Sequence, residues 1–166
     1  MTEVALIACN PDGTYASCCP LCGQPLSQPI FATSHFIDDE KHDLWRYSDT
    51  AMHWDCYGNW PDQRRFADLL FHTWLRHAAS PNTQAYWATL LATDDVLVTY
   101  GLVVNEVAVH LRHSGSELRV PRTDWPSFLA GRWSEWCRHG LEFSAIAEIL
   151  PQLRELQLPE RLEGSV

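Results

Sequence analysis

Two short pairs of metal-ligating side chains are the residues of this chain best suited to chemistry. Cys19 and Cys22 are separated by two residues, and so are His53 and Cys56. This separation lets both side chains of a pair reach one ion, and three thiolates with one imidazole form the closed tetrahedral shell typical of structural zinc. A closed shell leaves no position for water or substrate, so the sequence predicts structural Zn²⁺ rather than chemistry at the metal. The alternative is a set of free thiols with an unrelated histidine.

The residues around each pair indicate how it is held. Gly23 follows the first pair and tolerates a positive φ, so residues 19–23 are predicted to form a tight knuckle. Ser48 and Asp49 precede the second pair and are good helix N-cap residues. His53 and Cys56 are therefore expected one helical turn apart on the same face.

A knuckle, a β-hairpin and a ligand pair on a first helical turn together resemble a treble-clef zinc finger. The order Cys-x2-Cys followed by His-x2-Cys is also similar to the first half of a LIM domain. The resemblance covers about residues 15–60 and implies a zinc module. The loop between the two pairs is longer than is usual in LIM domains, and no second Cys/His set follows at LIM spacing.

The remaining cysteines are predicted to be reduced thiols. The chain has six cysteines, but it shows metal-type spacing and no signal peptide: the stretch before Cys9 carries Glu3 and has no Lys or Arg. Residues 4–9 are therefore interpreted as a strand, and the protein is expected in the cytoplasm. Cys18 lies beside Cys19 and is an alternative ligand. Cys137 is expected to be an inert buried thiol.

The composition is that of a single globular domain. The chain has 166 residues, of which 46% are hydrophobic and 20% are charged, so it can bury a core. No apolar run approaches the length of a membrane span. One domain is predicted over residues 1–158, comprising a zinc module (1–60) and an α+β remainder (61–158), with a flexible tail at 159–166.

The charge balance bears on the partner. Twelve basic residues against twenty-one acidic ones give a net charge of −9. Nucleic-acid binders usually carry a basic patch that neutralises phosphates, whereas the basic residues here are scattered. The charge disfavours nucleic acid and favours a basic protein partner.

The periodicity of apolar residues predicts an α+β fold: an N-terminal treble-clef-like zinc module of β-hairpins, central helices, a small antiparallel sheet and C-terminal helices. Predicted strands cover residues 4–9, 31–37, 44–47, 96–98, 102–104, 107–109 and 118–120. Predicted helices cover residues 62–79 and 81–91, a segment from 123 to 140, and a segment from 144 that breaks or kinks at Pro151.

Sequence motifs of common enzymes are absent. The chain has no His-x-Glu with Pro-Cys-x-x-Cys, no His-Glu-x-x-His, no Gly-x-Ser-x-Gly and no phosphate-binding glycine loop. This favours a non-enzymatic protein. Two alternatives stay open: a zinc-finger regulator that contacts nucleic acid, and an enzyme with structural zinc and an unrecognised site drawn from Cys18, His35, His42 and Cys137.

A second metal set is conceivable in the C-terminal half. His110 and His113 could join Cys137 and His139, but strand positions three apart point to opposite faces. The sequence therefore argues against this second site.

Eight tryptophans are many for this length. Most are expected to pack in the core, and Trp54 and Trp60 are the candidates for exposed anchors that bind a protein partner.

An acidic loop is the predicted contact for that partner. It contains Asp38, Asp39, Glu40 and Asp43. In size, charge and compactness the chain resembles the small acidic bacterial immunity proteins that block toxic effectors. The resemblance implies a basic toxin as partner and electrostatically steered association.

Overall fold

The computed structural model describes residues 10, 11 and 15–159. It confirms the α+β class, with strands β1 (Ile30–Ala32), β2 (Ala51–His53), β3 (Trp87–Ala92), β4 (Val96–Gly101), β5 (Glu106–Leu111) and β6 (Ser116–Pro121), and helices α1 (Trp54–Gly58), α2 (Gln63–Ala78), α3 (Pro81–Gln84), α4 (Trp125–Leu129) and α5 (Gly140–Arg154). Within this part of the chain, no helix combines the length and the apolar character that a membrane span requires. The predicted strand at 4–9 and nearly all of the predicted tail lie outside the described residues.

The N-terminal part is built on a short antiparallel strand pair that leads directly into α1. Phe31 of β1 lies opposite Met52 of β2, and both side chains are buried. The Phe31 ring stacks on Tyr57 of α1 with 3.7 Å between ring centroids. The order of knuckle, hairpin and helix is compatible with the zinc-finger-like module predicted from the sequence.

The second part is a four-stranded antiparallel sheet in the order β3-β4-β5-β6. Because side chains alternate between the two faces of a strand, one face is lined by apolar partners such as Val98, Val109 and Leu118. Phe128 of α4 and Ile146 of α5 belong to the same buried cluster. This face of the sheet and the C-terminal helices form the larger core.

Helix α2 joins the two parts. Its Phe66 packs in the N-terminal core, and its Gln63 donates from Nε2 to the carbonyl oxygen of His113 at 3.0 Å. The Tyr57 hydroxyl donates to the carbonyl oxygen of Ser114 at 2.9 Å. These bonds anchor the β5–β6 turn to the N-terminal part. The predicted bounds of this helix, residues 62–79, are confirmed to within a residue.

The segment after α2 departs from the predicted helix over residues 81–91. Ser80 does cap a helix, since its hydroxyl accepts the backbone N–H of Thr83 at 3.3 Å. Helix α3 nevertheless ends at Gln84, and residues 87–92 form β3. Thr89 of β3 lies opposite Thr99 of β4. Pairing with the neighbouring strand outweighs the local helix propensity here.

Residues 102–104 were predicted as a strand, and this is wrong. They form the exposed turn between β4 and β5, which are paired up to Tyr100 and Val107. Asn105 closes the turn with a φ of 56°, and its backbone N–H donates to the carbonyl oxygen of Gly101 at 2.9 Å. Asn tolerates this conformation better than a β-branched residue.

The predicted hairpin between residues 31–37 and 44–47 is also wrong. Trp45–Tyr47 form a 3-10 turn, in which the backbone N–H of Tyr47 donates to the carbonyl oxygen of Leu44 at 3.0 Å. β1 pairs with β2 instead. The turn buries Leu44 and Tyr47, which explains the apolar pattern that suggested a strand.

The predicted helix over 123–140 is interrupted. Gly131 has a φ of 129°, which ends the helical path after α4, and a 3-10 turn follows at Arg132–Glu135. The last helix begins at Gly140 rather than at 144. Of the two outcomes expected at Pro151, a break or a kink, the break is wrong, because this residue lies inside α5.

Candidate metal centre

The two ligand pairs predicted from the sequence come together at one point. The Sγ atoms of Cys19, Cys22 and Cys56 and a ring nitrogen of His53 all lie within 4.8 Å of one another. The first two cysteines come from the knuckle, His53 ends β2, and Cys56 lies in the first turn of α1. Two segments that are distant in the sequence, the knuckle and the junction of β2 with α1, thus converge on one cluster.

The spacing within the cluster matches a tetrahedral metal shell. His53 Nδ1 lies 3.5 Å from Cys22 Sγ and 3.7 Å from Cys56 Sγ. Tetrahedral zinc with Zn–S bonds of about 2.3 Å and a Zn–N bond of about 2.05 Å places sulfur and nitrogen about 3.6 Å apart. The four residues are therefore close enough to bind one metal ion, and the distances are consistent with zinc.

The other ring nitrogen of His53 fixes the orientation of the imidazole. Nε2 lies 3.1 Å from the carbonyl oxygen of Pro25. That carbonyl can only accept, so Nε2 carries the hydrogen and Nδ1 is left as the ligand atom. A backbone acceptor behind a coordinating histidine is the usual support of such a ligand.

The knuckle is closed by backbone hydrogen bonds. Gly23 donates its N–H to the carbonyl oxygen of Cys19 at 2.8 Å, and Cys19 donates to that of Gln24 at 2.9 Å. Gly23 has a φ of 73°, as predicted. The tight turn places the two sulfurs of the Cys19–Cys22 pair on one side.

The electrostatics of the thiols favour a bound cation. Burial of Cys19 acts to raise its pKa, but hydrogen bonds from the backbone of His53, Leu21 and Cys22 outweigh that effect and lower it. Burial and the neighbouring thiols raise the pKa of Cys56. Three clustered thiolates repel one another, and a divalent cation offsets that repulsion.

The start of α1 differs from the prediction. Ser48 and Asp49 do not cap this helix; His53 itself is the N-cap residue and Trp54 is the first helical residue. His53 and Cys56 still flank one turn, because the strand ends where the helix begins. His53 and Cys56 therefore remain close enough to bind one ion, although the helix begins later than predicted.

Cys18 and Cys137 lie outside the cluster. Cys18 is exposed and is not among the four converging residues. Cys137 is half-buried, and burial together with the nearby Glu142 carboxylate raises its pKa to about 11. Its Sγ donates toward the carbonyl oxygen of Trp133 at 3.6 Å. Cys9 lies outside the described residues.

The alternative catalytic and metal residues are not assembled into a second cluster. Within the described residues, the four ligands form the single group of three or more metal-ligating side chains. His35 and His42 flank the acidic loop, His113 pairs with Asp95 at 3.2 Å, and His139 stacks on Trp54.

All four carboxylates of the acidic loop are exposed, and Asp43 is the one that pairs with an arginine of α2. Asp39 accepts the backbone N–H of Lys41 within the loop at 2.9 Å. Asp43 accepts two hydrogen bonds from Arg65, at 2.6 and 2.8 Å, and this guanidinium lowers the pKa of the carboxyl group. Asp38, Asp39 and Glu40 are exposed. Asp43 therefore holds the loop against α2, while the other three carboxylates face solvent.

The exposure expected for Trp54 is wrong. Its side chain is fully buried because the His139 ring stacks on it, with 5.2 Å between ring centroids, and because it belongs to the N-terminal core. Trp60 is half-buried between Tyr47 and Phe66. Partner binding by Trp60 stays a prediction.

Two buried polar residues had no signal in the sequence. Glu142 is fully buried, and its carboxylate accepts from the backbone N–H of Arg138 at 2.5 Å and from the guanidinium of the same residue at 2.8 Å. His110 is buried beside Trp74. Neither follows from local spacing, since both depend on which elements pack together.

Comparison of the chain with protein-family models, with curated proteins and with solved structures finds no match in any of the three. The geometry of the site therefore carries the functional argument.

Proposed function

We propose that the cluster binds Zn²⁺ in a closed shell of Cys19, Cys22, His53 and Cys56, and that the metal is structural. The observation that carries this proposal is the match between the sulfur–nitrogen distances of 3.5 and 3.7 Å and a tetrahedral shell. All four positions of such a shell are filled by the protein. The metal then ties the knuckle to β2 and α1, which have too few residues to form a stable core alone.

On this metal-stabilised platform, the proposed role is non-enzymatic binding of a basic protein. Its most specific form is a bacterial immunity protein that neutralises a basic toxin by direct contact. The support is the net charge of −9 and three exposed carboxylates grouped in one loop. Such a surface steers a cationic partner into contact.

The structure places an apolar groove beside these carboxylates. A depression of about 460 Å³ runs between the acidic loop and α2. Phe36, Ile37 and Leu69 line it together with Asp38 and Asp39 on the side of the loop, and Arg76 lines it on the side of α2. Protein–protein interfaces commonly combine an apolar centre with a polar rim. The groove and the loop together supply both parts, and they define the proposed partner surface.

The partner surface is tested by affinity capture from the native host. The bait is the tagged protein, compared with a loop variant (D38N/D39N/E40Q) and with a charge-matched control in which exposed acids elsewhere are neutralised (D124N/E148Q/E155Q). We expect the wild type and the control to retain one basic protein in near-stoichiometric amount, and the loop variant to lose about tenfold or more of it. Equal capture by all three baits, or no basic partner, would contradict the proposal.

A further inference from the structure

The two outer strands of the four-stranded sheet, β3 and β6, differ in how they are protected. An outer strand presents a row of backbone N–H and C=O groups without a strand partner, and natural proteins discourage pairing there with charged side chains and proline. β6 has these features, because Glu117 and Arg119 are charged and Pro121 has no N–H. The Arg138 guanidinium also donates to the carbonyl oxygen of Glu117 at 3.4 Å. β6 is therefore protected against pairing.

The other outer strand, β3, has none of these features. Its six residues read Trp-Ala-Thr-Leu-Leu-Ala, without a charged side chain or a proline. Thr89 and Ala92 are exposed, and β4 is the one strand that pairs with β3 among the described residues. An uncharged outer strand of this length is a site at which another strand can pair.

The hydrogen bonds between β3 and β4 show which backbone groups of β3 face outward. Leu102 donates its N–H to the carbonyl oxygen of Tyr86 at 2.8 Å, and Thr93 donates its N–H to the carbonyl oxygen of Val96 at 2.9 Å. Along an antiparallel pair, residues that bond to the partner alternate with residues that do not. The backbone groups directed away from β4 are therefore those of Trp87, Thr89 and Ala92.

A bulge in β3 decides what can pair with these groups. The register with β4 shifts between Thr89 and Leu91, so two residues rather than one separate the outward-facing groups of Thr89 and Ala92. A regular strand presents such groups at every second residue, so it matches β3 on one side of the bulge only. A second copy of β3 that runs antiparallel has the same interval. Thr89 of each copy then lies opposite Ala92 of the other.

The side chains and charges of β3 permit this pairing. Thr89 and Ala92 lie on one face of the sheet, and both are small. Asp94 and Asp95 follow directly after β3, and a two-fold axis at the bulge places the Asp pairs of the two copies at opposite ends of the joined strands. Like charges therefore do not face each other across the two strands, although each chain carries a net charge of −9.

We propose that β3 pairs antiparallel with β3 of a second copy of this chain, across a two-fold axis at the bulge, and joins the two four-stranded sheets into one. This goes beyond the proposed function. No residue of β3 lines the partner surface, so the capture experiment and the test of this dimer can fail separately.

The test is sedimentation equilibrium of the whole chain from about 5 to about 500 µM. We expect the mass of the wild type to rise with concentration from 19.0 kDa toward twice that value. Thr89→Lys places a charge on the outer strand and is expected to weaken dimerisation by about tenfold or more. Thr123→Lys, at an exposed turn position after β6, is the matched control and is expected to dimerise like the wild type.

Amide hydrogen exchange of the wild type locates the contact without any variant. We expect the N–H groups of Trp87, Thr89 and Ala92 to exchange rapidly in dilute protein and to become protected as the concentration rises. Three results would overturn the inference: a monomer at every concentration, equal dimerisation of the wild type and Thr89→Lys, or protection of these amides that does not depend on concentration. The last result would mean that another segment of the same chain covers β3.

Discussion

At the scale of single residues, the two ring nitrogens of His53 make different contacts, and this difference explains which atom of the imidazole can bind a metal. Nε2 is 3.1 Å from the carbonyl oxygen of Pro25, which leaves Nδ1 directed at the sulfurs of Cys22 and Cys56. The hydrogen bond to Pro25 thus fixes the tautomer of His53 before any metal binds. It also fixes the orientation of the imidazole ring, so metal binding does not have to order this side chain.

Removing a single thiolate should therefore unfold the N-terminal part. We expect Cys22→Ser and Cys56→Ser to lose bound zinc and the cooperative melting of that part, because metal binding worth about 10 kcal/mol or more in zinc fingers is coupled to folding. That exceeds much of the stability of an ordinary domain. Metal analysis and thermal unfolding measure both effects.

The neighbouring Cys18 supplies a matched control for this experiment. It is exposed and lies outside the cluster, so Cys18→Ser should keep zinc and native melting. If Cys22→Ser instead behaves like Cys18→Ser, the metal is not structural.

His110 should make the free energy of unfolding depend on pH. Burial lowers its pKa from the ordinary 6.5 to about 4, so between these values the unfolded chain binds a proton that the folded chain does not. The contribution of neutral His110 to the free energy of unfolding is fully present above pH 6.5 and is lost as the pH falls through 4. It amounts to about 3 kcal/mol.

Chemical denaturation of the wild type and of His110→Asn at several pH values between 7 and 4 isolates this contribution, because the other titrating groups are common to both proteins. We expect the wild type to lose about 3 kcal/mol more than the variant over this range. Parallel loss in the two proteins would show that His110 does not stay neutral in the fold.

The ligands were predictable from the sequence, whereas His110 was not. The separation of Cys19 and Cys22 in the sequence is enough to predict their geometry, because a knuckle is a local structure. The burial of His110 depends instead on α2 crossing β5, and that of Trp54 depends on His139 stacking from far along the chain. Local patterns carry no information on such contacts.

At the scale of elements, the close approach of the β5–β6 turn to α1 and α2 joins the two parts of the fold. Gly115 has a φ of 64°, and a Cβ built there would lie 2.7 Å from the Tyr57 hydroxyl and 3.0 Å from Cα of Ala67. Both the backbone conformation and the space require glycine.

Gly115→Ala should therefore lower the free energy of unfolding by more than about 2 kcal/mol, since it adds overpacking to an unfavourable backbone conformation. Gly23→Ala is the matched control: its φ of 73° is similar, but a Cβ there meets nothing within 4 Å, so only about 1 kcal/mol is expected. Urea unfolding compares the two. Equal losses would mean that the turn does not pack tightly on α1 and α2.

The elements that sequence patterns predicted best are those with strong periodicity and clear ends. α2 combines apolar residues at helical spacing with the Ser80 cap that follows it. The predictions for residues 87–91 and 102–104 were wrong, because short apolar or β-branched runs are compatible with a strand, a helix or a turn. Which one forms depends on the strands that pair beside them, such as β4 with β5.

At the scale of the whole molecule, two cores meet along α2 and are held together by a few polar contacts. Tyr57 and Gln63 both bond to the backbone of the β5–β6 turn, and His139 stacks on Trp54 beside the metal cluster. We therefore expect loss of the proposed metal ion to destabilise more of the molecule than the N-terminal part. The composition and charge predicted a folded acidic protein, but they could not show how its two cores are joined.

The most direct test of this structure is X-ray absorption at the zinc edge of the purified protein. The proposed site predicts one zinc per chain, with three sulfur neighbours at about 2.3 Å and one nitrogen at about 2.0–2.1 Å. A shell dominated by oxygen and nitrogen, or protein that folds natively without any metal, would contradict a structural Cys3His site and with it the proposed role of the N-terminal module.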